Sequence, residues 1–143
     1  MASATDLMKK EITFRSNKGK GKGIRGVRFS AWMKYYVCLY LPSFSWDHDT
    51  ASLFRTLIAY EEEKLYGDRR YSEVLAYLKF MSELIRTPAD ARILALSGIV
   101  VAEAGVMDNE LADALSKLVE GREVHKHNVH DVQNQIRRYV KSI

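Results

Sequence analysis

Lysine alternating with glycine, then arginine, then a group of aromatic residues, is the arrangement in this chain whose chemistry is easiest to name. Lys18-Gly19, Lys20-Gly21 and Lys22-Gly23 lead into Arg25, Gly26 and Arg28, and Trp32, Tyr35, Tyr36 and Tyr40 follow. Glycine at this density carries too much ordering entropy to hold a helix or a strand together. Cations spaced along such a backbone suit a polyanion, because the chain can follow a curved phosphate surface while its charges neutralise it. The bland alternative is a solvated tail. The absence of any acid between Ile12 and Met33 favours phosphate. Lysine beside glycine reads no base edges, so binding without sequence preference is expected. The aromatic residues would stack on bases or, as the preferred reading, form core and subunit interface.

Other combinations carry less. His125, His127 and His130 sit in Val-His-Lys-His-Asn-Val-His; on a helix His127 and His130 share a face with Asp131, while His125 points elsewhere. No cysteine joins them and Lys126 adds unfavourable charge, so a polar helix face is expected rather than a metal site. Glu61-Glu62-Glu63 reads as a solvated helix face. Arg137, Arg138 and Lys141 suit the end of a helix and offer a second contact to phosphate. No Gly-x-Ser-x-Gly, Walker loop or dinucleotide fingerprint is present, so the expectation is a protein with no catalytic residues, no metal and no cofactor. Cys38 is the only cysteine; it excludes an intrachain disulfide and is expected to be packed in the core.

Charge divides the 143 residues unevenly. Residues 1–28 carry eight cations (Lys9, Lys10, Arg15, Lys18, Lys20, Lys22, Arg25, Arg28) against Asp6 and Glu11, a net +6, while the remaining fourteen basic and sixteen acidic groups leave −2. A basic front on a mildly acidic body points to a polyanionic partner for the front. The N-terminus lacks the apolar run of a signal peptide, and Ile93–Val101 falls far short of the roughly 20 residues a membrane span needs. A soluble chain, intracellular at synthesis, is expected.

The elements that must position these residues read mostly as helices. Ser3 or Thr5 caps a short helix to Glu11, and residues 13–28 have no period. Ser30 caps a helix from Ala31 to about Leu41, although Tyr35–Leu41 is also strand-like in propensity. Pro42–Thr50 reads as a loop. A helix starting near Asp47, Asp49 or Thr50 runs to Tyr66, with Gly67 as its stop. Tyr71–Arg86 is amphipathic, with Val74, Leu75, Leu78, Met81, Leu84 and Ile85 recurring at three and four. Thr87-Pro88 opens the next helix, Ala89–Ala104, apolar around most of its surface and therefore expected at the centre. Helices Asn109–Glu120 and about Val124–Val140 complete an all-α fold: a four- to five-helix bundle preceded by an extended basic N-terminal arm. The arm (1–28) is expected to bind nucleic acid and the bundle (29–143) to mediate assembly.

The run from Lys22 to Tyr36, basic and glycine-containing and then Arg-Phe-Ser-Ala-Trp-Met-Lys-Tyr-Tyr, resembles the N-terminal segment of coat proteins from rod-shaped and filamentous archaeal viruses. That resemblance implies an arm wrapping double-stranded DNA while helical bundles pack into a sheath, as self-assembled copies or as a heterodimer with a paralogous coat protein. It also implies that Arg25, Arg28, Trp32 and Lys34 lie near DNA. The reading is thus a nucleic-acid-packaging subunit located in a virion. The alternatives are a matrix-type protein on an anionic membrane and a cytoplasmic or nucleoid protein binding DNA or RNA.

Overall fold

The segment Tyr36-Val37-Cys38-Leu39-Tyr40-Leu41 is rich in β-formers, and its alternation decides its conformation. In the computed structural model, which describes residues 2–16, 27–32, 36–47, 49–68, 73–102, 108–121 and 129–142, it is strand β3 (Tyr36–Leu41). Val37, Leu39 and Leu41 are buried on one face, the period-two spacing of a strand against the core, and Cys38 on the other face is buried as well. A helix over Ala31–Leu41 would spread the same three side chains around its circumference. β3 is central in a three-stranded sheet, with β1 (Thr13–Ser16) parallel on one side and β2 (Arg28–Trp32) antiparallel on the other. Phe14, Leu39 and Phe29 lie in register on the inner face. Pro42 has no N–H to continue the ladder.

The all-α expectation is therefore corrected. The described residues form six helices and five strands, the strands in two sheets. Over its described residues 2–16, the extended N-terminal arm is corrected too. Ser3 and Asp6 form a capping box at the start of α1 (Ala4–Lys9), but six residues would be marginal alone. Burial holds them, with Ala4 and Leu7 inaccessible to solvent. So does Asp90, on α4 (Pro88–Leu96). One Asp90 carboxylate oxygen accepts from the backbone N–H of Thr5 at 2.7 Å and from its hydroxyl; the other accepts from the N–H groups of Arg86 and Thr87 and the Thr87 hydroxyl, each at 3.0 Å. One buried acid thus caps its own helix and ties down another 85 residues earlier.

Helix α2 (Thr50–Asp68) starts where the Asp47 carboxylate accepts from the N–H groups of Asp49 (2.9 Å) and Thr50 (3.0 Å). Near its other end, the Glu61 carboxylate receives the N–H groups of Val74 (2.9 Å) and Leu75 (3.3 Å), so α2 caps α3 (Glu73–Leu84). Glu61 is a cap across two helices rather than part of a solvated face. α3 is the central helix: Leu75, Tyr77, Leu78, Phe80, Met81 and Leu84 are all buried.

The expectation that Ala89–Ala104 forms one central helix fails at Gly98, whose φ of 75° is left-handed. α4 ends at Leu96, and the β-branched run after the turn becomes β5 (Val100–Ala102), paired in parallel with β4 (Phe44–Trp46) inside the expected loop. Ser43 donates its hydroxyl to the Gly98 carbonyl at 2.9 Å, fastening the two segments. α5 (Asp108–Val119) buries Leu111, Leu115 and Leu118. α6 (Val129–Ser142) buries Val132 and Ile136 and sets Tyr139 against Phe29 of β2, ring centroids 5.8 Å apart.

Tyr77 is the exception to polar satisfaction in this core. Its ring meets Phe44 edge-on, and its buried hydroxyl has no hydrogen-bond partner among the described residues. Burial pushes its phenol far above the ordinary tyrosine pKa. An unsatisfied buried hydroxyl costs stability, so Tyr77→Phe is expected to stabilise the protein by about 1 kcal/mol. Urea denaturation measures it, and a destabilised variant would show that the hydroxyl is satisfied.

Candidate functional site

Register brings two of the expected phosphate-binding residues together. Arg15 of β1 and Arg28 of β2 both pair with Tyr40 of the intervening β3. Residues directly opposite in a sheet project to the same side, so Arg15, Tyr40 and Arg28 form one row across the outer face. Both arginines are exposed and Tyr40 is half-buried. The Arg28 guanidinium lies over the Tyr40 ring, 4.1 Å from its centroid. This cation–π contact fixes the guanidinium while leaving its edge donors free of the ring. Strand spacing places the two arginine backbones roughly 10 Å apart. The next row is Thr13, Cys38 and Ser30; Cys38 is buried and free.

The remaining expected site residues fall elsewhere. Lys9 ends α1 and Lys10 is its C-cap, both exposed; the Lys10 carbonyl accepts from the Tyr139 hydroxyl at 3.4 Å. Trp32 pairs with Tyr36 at the far end of β2. Lys18, Lys20, Lys22, Arg25 and Lys34 lie outside the described residues, as do Tyr35, His125 and His127. The chain leaves β1 after Ser16 and re-enters β2 at Arg28, positions that flank Leu41 and Tyr40 of β3. The intervening basic segment therefore has both its attachment points at the arginine end of the sheet. Arg137, Arg138 and Lys141 belong to α6 and are exposed. Among the described residues no three His, Cys, Asp or Glu side chains are grouped to hold a metal ion, and no helix is long and apolar enough to cross a membrane.

A second feature was not apparent from the sequence. An open cleft of about 340 Å³ lies between α2 and α5, lined by Ala51, Arg55, Glu110, Asp113, Ala114, Lys117 and Leu118. Two acids and two bases share its rim, so it does not match a polyanion. Its lining comes from helices 55 or more residues apart in the chain, which is why no motif announced it.

A family model described as "Plant protein of unknown function" (DUF247) matches residues 1–143. The chain belongs to the DUF247 family. No curated protein and no solved structure matches it. Membership over the whole length overturns the resemblance to archaeal-virus coat proteins, which rested on Lys22–Tyr36 alone. The expected virion location and the capsid and filament vocabulary are corrected with it, since DUF247 is described as a plant family. The structure supplies the physical counterpart: the described residues around that resemblance are strands of a mixed sheet, whereas the viral pattern calls for an arm before a helical bundle.

Proposed function

We propose that this DUF247 chain is a non-enzymatic binding protein that holds nucleic acid, double-stranded DNA in preference to RNA, by neutralising phosphate at the Arg15–Tyr40–Arg28 face. The observation that carries the reading is the register that sets two exposed arginines on either side of one tyrosine, at the end of the sheet where the basic segment 17–26 is attached. Arg28 occupies a face of the Tyr40 ring, which favours contact with a phosphate backbone over stacking on an unpaired base. Lys9 and Lys10 are further exposed cations of the same net-positive front.

The test is fluorescence anisotropy with labelled duplex DNA, single strands, RNA and anionic vesicles. Arg15→Ala and Arg28→Ala are each expected to weaken duplex binding for all sequences alike and to reduce the salt slope by about 1. Arg28→Lys should keep most of the slope and lose part of the affinity, because lysine retains the charge without the planar stack. Unchanged binding in the Arg15→Ala/Arg28→Ala double variant, or binding confined to anionic vesicles, would overturn the proposal.

A further inference from the structure

Helices α2 and α5 meet without closing on each other, and the open cleft of about 340 Å³ between them has short side chains in its walls. Ala51 of α2 and Ala114 of α5 are half-buried, and Leu118 is buried. Alanine at both positions is too short to fill the gap, which leaves room of the size a small ligand needs. The rim is charged, with Arg55 on α2 and Glu110, Asp113 and Lys117 on α5, all four exposed.

None of these four charges makes a hydrogen bond or an ion pair among the described residues. Asp113 and Lys117 are four residues apart with the acid first, the order that favours an ion pair on a helix, yet both line the cleft instead of meeting. Arg55 likewise pairs with neither acid across the gap. Along α5 the rim charges are sorted, acids toward the start and the base toward the end. Asp113 and Glu110 precede Lys117 by four and seven residues, about 6 and 10 Å of helix. The next described charges on these faces, Glu62 and Glu120, do not line the cleft, and Glu62 already has a partner. Position 64, two and a half turns past Arg55, falls on the opposite side of α2.

We infer that the α2–α5 cleft binds a short peptide with free ends, two or three residues long, its ammonium held by Glu110 and Asp113 and its carboxylate by Lys117 and Arg55. Two acids and two bases on one rim select a ligand that carries both charges and disfavour a polyanion or a polycation. Length follows from the spacing. Two or three extended residues span roughly 7–11 Å, the separation of the acidic and basic ends of the rim, whereas a free amino acid carries both charges on one carbon. The cleft is lined by different elements from the Arg15–Tyr40–Arg28 face, so the inference stands whether or not that face binds nucleic acid.

Titration of the isotope-labelled full chain with trialanine, followed by two-dimensional NMR, tests the inference. Saturable shifts are expected at the residues that line the cleft. N-acetyl-trialanine and trialanine amide, each lacking one charge, should bind about fivefold more weakly, and so should free alanine. Glu110→Gln/Asp113→Asn should weaken trialanine by a similar factor and leave the N-acetyl form unaffected. Arg55→Ala/Lys117→Ala should weaken trialanine likewise and leave the amide unaffected. All four positions are exposed, and circular dichroism checks that each variant is folded. No saturable shift at millimolar peptide, equal binding of the free and blocked peptides or of alanine, or variants that weaken every ligand alike would each overturn it.

Discussion

Asp90→Ala is expected to destabilise the fold by about 3–5 kcal/mol, a large share of the 5–15 kcal/mol that holds a typical domain together. The carboxylate is inaccessible to solvent and accepts five hydrogen bonds, two from Thr5, two from Thr87 and one from Arg86. Removing it breaks one half of the capping box of α4, leaving only the Thr87 hydroxyl on the residue-90 N–H, and strips three backbone N–H groups of their acceptor. The loss also reaches α1, whose short helix depends on tertiary anchoring. Hydrogen exchange should show residues 4–9 opening first in the variant.

The same site gives a sign for pH. Burial pushes the Asp90 carboxyl upward, but the side-chain and backbone bonds from Thr5, the backbone bond from Arg86 and the side-chain bond from Thr87 outweigh it. Its pKa in the folded protein lies below the ordinary carboxylate value. A depressed folded-state pKa means that the stabilisation is present above the unfolded value of about 3.9 and disappears as pH falls through the folded one. Denaturation of the wild-type protein and Asp90→Asn should therefore differ at pH 7 and converge in strong acid. A constant difference across that range would mean that the charge contributes nothing.

Binding to duplex DNA is expected to fall by about 10³–10⁴-fold between roughly 50 and 200 mM salt. The estimate assumes that about six to eight of the cations at the front of the chain contact phosphate, for a slope of roughly −5 to −7 in log affinity against log salt. Duplexes of different sequence should give the same slope and nearly the same affinity, since neutralisation carries no base information. A slope near −1, or a sharp preference for one sequence, would replace neutralisation with a small specific site.

Particular residues show where a single chain of letters was informative. The Thr87-Pro88 start and the three-four spacing of Leu75, Leu78 and Met81 announced α4 and α3, because capping and helical periodicity act within a few residues. Ser3 announced α1 in the same way. Tyr36–Leu41 was misread because aromatic and apolar residues at close spacing satisfy helix and strand alike, and only pairing with β1 and β2 separates the two. Gly98 ended a helix that composition would have continued. β4 and β5 are three residues each, too short to carry a period, and they exist because each provides the other's hydrogen bonds. For the site, Arg15 and Arg28 were identifiable as cations and Tyr40 as a nearby aromatic residue, while the register that sets Tyr40 between the two arginines was not.

What the sequence determined alone was the inventory: a front charged +6, a body near neutral, and helices whose caps and periods are local. Tertiary structure decided that Arg15 and Arg28 share a face, that Asp90 reaches back to Thr5, and that Glu61 caps α3 rather than facing water. The physical reason is range. Caps and helical periods depend on neighbours three or four positions away, but register, long-range capping and exposure depend on which distant segments meet, and no local pattern records that.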